Sequence, residues 1–323
     1  MTPNHEPVLV TGGSGFIGAA VARALIQRGT PAVLLDIEPP RAADANDPLA
    51  KAPFVAADVT DPFALARAAK EHAVRRLVHA AAIVGAGISM TKPAATVAAN
   101  VEGAVNVLEC WRTFGLGRVV FVGSQSVYGP GRYQPVDEDH PKEPDSPYGV
   151  SKLFAESLAR NYRAIWGVDS VTLRLPHVYG PGRPAGLRGN VIQEMLEAAQ
   201  GGRTFVMETG GDQRKEPVYV TDAVRALLAA LDAPAAGLPF REINVGLGKV
   251  HTWREIAAAV GRLYPKAAFA LGPGPKEVYP GVIEQPLGPL SLARAKAALG
   301  YEPLFPLEKG LRDFAEWLAA RRG

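Results

Sequence analysis

Apolar and polar positions along the first half of the chain follow a repeating strand-then-helix order. Residues 7–11 form a short apolar run that breaks into glycine, and residues 16–28 resume with apolar positions at helical spacing. Residues 31–36 (Pro-Ala-Val-Leu-Leu-Asp) predict a second strand, 53–57 a short third one, and Pro62 to His72 a helix. Leu77-Val78-His79-Ala80-Ala81 predicts the next strand, ahead of a long helix from about Ala94 to Phe114. Val119-Val120-Phe121-Val122-Gly123 has no polar position at all, the pattern of a strand covered on both faces in a parallel sheet. The repeated alternation predicts a doubly wound α/β sheet.

The second half is less regular. Val171-Thr172-Leu173-Arg174-Leu175 predicts a sixth strand, and residues 218–220 and 242–245 predict short returns to the sheet. The stretch from Gly272 to Pro289 is too rich in Pro and Gly for a core element. These segments are expected to form a small discontinuous lobe over the first domain, with a docking helix at 307–321. A flexible interdomain linker is the alternative, disfavoured by the strands and helices in between. No internal repeat is present.

Composition narrows the class. The 323 residues suffice for one large domain or a large-plus-small pair. A formal net charge of +3 with no Lys/Arg-rich block gives a nucleic-acid partner little support. The N-terminus lacks the basic start and apolar core of a signal peptide, and no run of about 18 apolar residues exists to span a membrane, so a cytoplasmic protein is expected. The single cysteine, Cys110, excludes an intramolecular disulfide, and its helical setting points to a buried structural thiol rather than a nucleophile. No metal site is expected.

The richest stretch for chemistry is Val8-Leu9-Val10-Thr11-Gly12-Gly13-Ser14-Gly15-Phe16-Ile17-Gly18. Strand, tight turn and helix in that order place a helix N-terminus where it can meet a diphosphate. The glycines at 12, 15 and 18 (or 13, 15 and 18) let the turn close and the helix approach the strand. A glycine-rich turn with no ligand is the plainer reading. Asp36, ending the second strand, argues against it: a carboxylate there can accept from both ribose hydroxyls and repels a 2′-phosphate, which favours NAD over NADP. Glu38 and Arg41 stand nearby, and an arginine could tolerate a phosphate. Asp58 is placed either to meet the adenine edge or to be a solvated loop residue. Ala80-Ala81-Ala82 offers small side chains where backbone can pass close to the cofactor.

A second motif, Ser146-Pro147-Tyr148-Gly149-Val150-Ser151-Lys152, gives that nucleotide a purpose. Ser146 suits an N-cap and Pro147 the first helical position, so Tyr148 and Lys152 fall four residues apart on one side of a helix. A phenol with a pKa of about 10 is a poor base at neutral pH, and a nearby ammonium stabilises the phenolate. Lys152 could also hold the nicotinamide ribose. Ser124, ending the fifth strand, could hydrogen-bond the reacting oxygen. Ser124, Tyr148 and Lys152 are therefore the catalytic candidates.

With these residues in view, the chain resembles the extended short-chain dehydrogenase/reductase family, in its NAD-dependent epimerase/dehydratase group and the UDP-glucose 4-epimerase-like branch. The resemblance runs over nearly the whole length. It includes Thr11 to Gly18, Asp58-Val59, His79-Ala80-Ala81-Ala82, Asn100, Ser124 and Val127-Tyr128-Gly129. It continues through Tyr148 to Lys152, Arg174 to Gly182, Val218 to Asp222 and Asn244-Val245-Gly246. It implies a Rossmann-type sheet, tightly held NAD and a homodimer built on a four-helix interface. Cofactor contacts are expected at Gly12, Gly15, Phe16, Ile17, Gly18, Asp36, Asp58, Val59, Ala80, Ala81, Ala82, Asn100, Tyr148, Lys152 and Pro176. The expected division is an NAD-binding domain over 1–175, completed by about 215–247, and a substrate lobe over 176–214 and 248–323.

Departures from the family pattern bear on the substrate. Dehydratases of this group carry an Asp-Glu pair after the catalytic Ser/Thr; here Gln125 and Ser126 stand there, and neither can act as that acid. His177 replaces an expected Asn, and Lys215, with Arg214 beside it, replaces an expected Arg. A later Arg near residue 274 has only Lys276 as a stand-in, whereas Asn190 matches. Lysine binds phosphate as a point charge without the bidentate fork of arginine. Ser124, Ser126, His177, Asn190 and Lys215 form the expected set of contacts to a carbohydrate-like small molecule. The leading expectation is a nucleotide-sugar epimerase that uses NAD to oxidise a secondary alcohol transiently. The alternatives are a net dehydrogenase of a non-nucleotide sugar, sugar acid or other secondary alcohol, and an NAD-binding regulator without catalysis.

Overall fold

The computed structural model describes residues 6–321 except 43, 45, 183–189 and 284. The chain starts with β1 (Val8–Thr11), α1 (Phe16–Gln27), β2 (Ala32–Asp36), β3 (Phe54–Ala56), α2 (Pro62–Glu71) and β4 (Arg76–His79). Two short helices, α3 (Ala86–Thr91) and α4 (Pro93–Val97), lead through a π turn at Ala98–Glu102 into α5 (Gly103–Phe114). Then come β5 (Val119–Ser124), α6 (Pro147–Trp166), β6 (Ser170–Leu175) and β7 (His177–Tyr179). The second half supplies α7 (Val191–Gln200), β8 (Phe205–Met207), β9 (Arg214–Lys215), β10 (Pro217–Tyr219), α8 (Val220–Asp232) and β11 (Glu242–Asn244). It ends with β12 (His251–Thr252), α9 (Trp253–Leu263), β13 (Phe269–Leu271), β14 (Glu277–Tyr279), β15 (Val282–Ile283), α10 (Ala293–Leu299) and α11 (Leu307–Ala320).

The central sheet has seven strands in the order β11-β6-β5-β4-β1-β2-β3, and every neighbouring pair is parallel. The apolar runs of β1, β4, β5 and β6 are explained by helices on both faces. Val8, Val10, Val78 and Val120 pack with α1 and α8, while Leu9, Leu77, Val119 and Phe121 face α2, α5 and α6. This period-2 division of each strand between two cores defines the doubly wound Rossmann-type sandwich. Its strand order reverses between β1 and β4, which opens a crevice at the carboxyl ends of those strands.

Local chemistry sets the helix ends. Ser146 Oγ accepts from Gly149 N at 3.2 Å with Pro147 at the first helical position, and Gly167 closes α6 in the left-handed region at φ 71°. Such a cap contributes about 1 kcal/mol and fixes where Tyr148 enters the helix. Asp61 caps α2 in the same way, ahead of Pro62.

One expectation needs correction. Residues 218–220 do not return to the central sheet: β10 pairs in parallel with β7 in a separate two-stranded sheet. Pro217 lacks a ladder donor, and α8 begins at Val220 and leaves at once to cover the sheet face. The 272–289 stretch is no core element, as expected; its regular structure is the exposed to half-exposed β14–β15 hairpin, which turns at Gly281 with φ 75°.

A third core joins α7, α9 and α11 through Ile192, Met195, Trp253, Ile256, Leu311 and Phe314. Residues 292–301 cross back, because Ala295 and Tyr301 belong to the cluster of β6 and α8. Among the described residues, no helix is long and apolar enough to cross a membrane.

Candidate functional site

The glycine turn lies at the crevice. Gly12 adopts φ 65°, and a Cβ there would sit 2.6 Å from Ala81 N and 2.8 Å from Ala80 C. A Cβ on Gly18 would sit 2.0 Å from Gly12 O. These contacts leave no room for a side chain, so the turn, the start of α1 and the 80–81 backbone meet directly. The N-cap residue is Gly15, which has no side chain to cap α1. Phe16, Ile17 and Gly18 form the first turn of a helix whose N-terminus suits a diphosphate.

Asp36 ends β2 beside this turn. Its Oδ2 accepts from Ser14 N at 3.0 Å and its Oδ1 from Ile37 N at 2.8 Å, which orients both oxygens while leaving each a further lone pair. Asp58 is exposed, with Oδ1 accepting from Thr60 N and Oγ1, both at 2.9 Å. Val59 is buried against Gly103. Ala80, Ala81 and Ala82 line the carboxyl end of β4, half-buried, and Pro176 stands between β6 and β7. Asn100 takes a supporting place. Its carboxamide donates to Ser151 Oγ at 2.9 Å and Ile83 O at 3.1 Å and accepts from Ile83 N at 2.8 Å. It ties the segment after Ala82 to α6, the helix of Tyr148. A glycine cradle that only backbone can line, a helix N-terminus opening on it and an oriented carboxylate at the end of β2 together fit a dinucleotide such as NAD.

Ser124, Tyr148 and Lys152 converge at the carboxyl end of β5, all three buried. Ser126 N donates to Ser124 Oγ at 3.1 Å, and the Ser124 hydroxyl is hydrogen-bonded to Tyr148. Lys152 Nζ donates to Val122 O at 2.9 Å and lies 5.9 Å from the Tyr148 ring centroid. Burial raises the Tyr148 phenol above its ordinary range, and the Ser124 hydrogen bond opposes that rise. Burial pushes Lys152 down to about 8. His79 lies behind the lysine, with Nδ1 2.7 Å from Thr11 Oγ1 and its ring edge-on to Phe121. Burial first, and then the Lys152 charge, push His79 down to about 3, so it stays neutral at physiological pH. The arrangement can bind a hydroxyl oxygen, remove its proton and hold the resulting charge.

A cavity of about 40 Å³ is lined in part by Gln125, Ser126, Asp145, Arg214, Lys215 and Gln285. Ser126 and Lys215 therefore meet as expected. His177 and Asn190 are not in its lining. The His177 ring stands edge-on to Trp253 at 5.6 Å, and the buried Asn190 amide donates to Gln193. Asp145 and Gln285 escaped the sequence reading because neither belongs to a spaced motif. Glu216 is a further buried residue at this cavity. Burial pushes it up to about 7, against hydrogen bonds from the Leu290, Gly248 and Leu247 amides. Cys110 is buried in helix α5, and its thiol is pushed up to about 11 by burial, so it is a structural residue and a poor nucleophile.

Known proteins resemble the chain in sequence and overall fold. A UDP-glucose 4-epimerase of Mycolicibacterium smegmatis is 31% identical, the alignment spanning 96% of this chain and 97% of that protein. The crystal structure of the Thermus thermophilus UDP-glucose 4-epimerase in complex with NAD superposes with a TM-score of 0.82 at 30% identity, covering 98% and 99% of the two chains. The holo form of a GalE-like L-threonine dehydrogenase from Cupriavidus necator reaches 0.86 at 25% identity, over 96% and 99%. The sequence profile described as "NAD dependent epimerase/dehydratase family" matches residues 8–246, the span that holds the glycine turn, Asp36, Ser124, Tyr148 and Lys152. The chain belongs to the NAD-dependent epimerase/dehydratase family.

Proposed function

We propose that the chain is a nucleotide-sugar epimerase that oxidises a secondary alcohol of its substrate transiently. The observation that carries the reading is the buried Ser124–Tyr148–Lys152 cluster opening at the switch point where the glycine turn and Asp36 also converge. Gly12, Gly15, Gly18 and Asp36 would hold NAD, with Asn100 bracing the 80–83 segment beside it. Bound NAD supplies a hydride acceptor that can return the hydride. Ser124 orients the substrate hydroxyl, Tyr148 removes its proton, and the Lys152 ammonium offsets the phenolate charge. When the substrate ketone has turned over, Tyr148 gives the proton back. The lobe over 176–214 and 248–323 would hold the nucleotide portion, with Arg214 and Lys215 opposite its phosphates.

A net dehydrogenase is the second reading. It is favoured by the likeness to the L-threonine dehydrogenase and by lysine in place of the expected arginine at 215. Titration calorimetry separates the two: the epimerase reading expects UDP or dTDP to bind the holoenzyme. Binding of neither, with NADH released on a panel of sugar acids and amino alcohols, would overturn it.

Two finer features belong to the same proposal. Val97, Val101 and Val105 follow one another every four residues through α4, the π turn and α5, and Val150, Phe154 and Ile165 lie along α6. Val97, Val150, Phe154 and Ile165 are exposed, which supports a homodimer built on these helices. A single cysteine, held as a buried thiol, fits the cytoplasm.

A further inference from the structure

Glu216 lies between β9 and β10, one residue beyond Lys215, and is 2% exposed. A carboxylate withdrawn from water is unfavourable unless several donors replace its hydration. Here they come from two distant segments. Oε1 accepts from Gly248 N at 2.6 Å, Oε2 accepts from Leu290 N at 2.8 Å, and Leu247 N also donates. Gly246 makes the approach possible, since a Cβ there would sit 2.2 Å from Oε1. An apolar side chain could fill the space without the desolvation penalty, but it could not tie these backbones together.

The Leu290 end of this arrangement reaches the cavity. Pro289 O accepts from Val136 N at 2.9 Å, and Ser291 N donates to Val136 O at 2.8 Å, which fastens the segment to the 131–136 loop. The same segment contributes Gln285, Leu287 and Gly288 to the cavity wall that also holds Ser126 and Lys215. Glu216 thus joins the strand of Lys215, the loop after β11 and the 285–291 wall at one carboxylate.

We propose that Glu216 is a positioning residue for the substrate cavity: it fixes the 285–291 wall against the Lys215 strand and so sets substrate affinity, without taking part in proton or hydride transfer. The inference rests on the reading of this cavity as the substrate site. Two variants of the holoenzyme test it with UDP-glucose as probe. Glu216→Gln keeps the shape but turns one acceptor into a donor facing an amide. Gly246→Ala keeps the charge and displaces the carboxylate. Both should raise KM for UDP-glucose about tenfold, the effect expected from losing a charge-assisted buried hydrogen bond, while kcat stays within about threefold and bound NAD is retained. An unchanged KM in both, or a loss confined to kcat, would overturn the proposal. Hydrogen exchange needs no substrate and decides the case where the wild type does not turn over UDP-glucose, an outcome that counts against the nucleotide-sugar reading instead. Gly248 and Leu290 amides slow to exchange in the wild type and fast in Glu216→Gln uphold the positioning role; equal exchange in the two proteins refutes it.

Discussion

Replacing Lys152 with methionine should stabilise the protein while impairing it, and both effects follow from the same buried ammonium. Burial lowers Lys152 from 10.5 to about 8. A displacement of that size corresponds to about 3 kcal/mol. The folded-state value is depressed, so between about pH 8 and 10.5 the unfolded chain binds more protons than the folded one. Wild-type stability should therefore be lowered by a constant amount below about pH 8 and climb from there to about 10.5. Methionine removes the buried charge at similar length but gives up the 2.9 Å hydrogen bond to Val122 O, worth about 1 kcal/mol. The variant should then be more stable than the wild type by about 2 kcal/mol at neutral pH, with the advantage shrinking above about pH 8 and reversed by about pH 10.5.

Activity should move the other way. The ammonium, 5.9 Å from the Tyr148 ring centroid, favours the phenolate over the neutral phenol, so its loss should lower turnover at neutral pH and move the acid limb of the activity profile to higher pH. Urea unfolding across this pH range, with turnover followed in parallel, checks both halves. A methionine variant that is less stable at neutral pH, and whose activity has an unshifted acid limb, would refute the reasoning.

Other outcomes follow from the same geometry. Tyr148→Phe should retain NAD, measured by fluorescence titration, and lower turnover by at least about a thousandfold, since general-base assistance is of that order. Asp36→Ala should weaken NAD about tenfold and narrow its preference over NADP, because the oriented ribose acceptor is lost; a wild type that already prefers NADP would contradict this role. Phe154→Glu places a charge on the exposed apolar face of α6 and should convert a dimer to monomer in sedimentation, leaving the fold intact by circular dichroism.

Much of this architecture was legible because its determinants are local. The apolar runs of β1, β4 and β5, the Ser146-Pro147 helix start and the glycine turn each announce themselves within a few residues. The off-sheet pairing of β10 with β7 was not legible, since a three-residue apolar strand carries no mark of its partner. Glu216 was missed for a related reason: its partners are backbone amides 32 and 74 residues away, which have no side-chain signature. Family spacing placed His177 and Asn190 with Lys215. In the fold the His177 ring meets Trp253, its backbone N–H donates to Glu216 O, and the Asn190 amide meets Gln193; neither residue is in the lining of the Ser126–Lys215 cavity. His79 showed in the sequence as part of a motif, but its neutrality depends on burial and on Lys152 behind the cleft.

The central claim is that the hydride returns to the substrate. Its most direct test is to incubate the purified holoenzyme with UDP-glucose in deuterated water, without added NAD, and follow the C4 epimer and NADH together. The account predicts many turnovers to the epimer, with C4 hydrogen retained and no NADH accumulating. NADH accumulation without epimer, on UDP-glucose or on L-threonine, would contradict it.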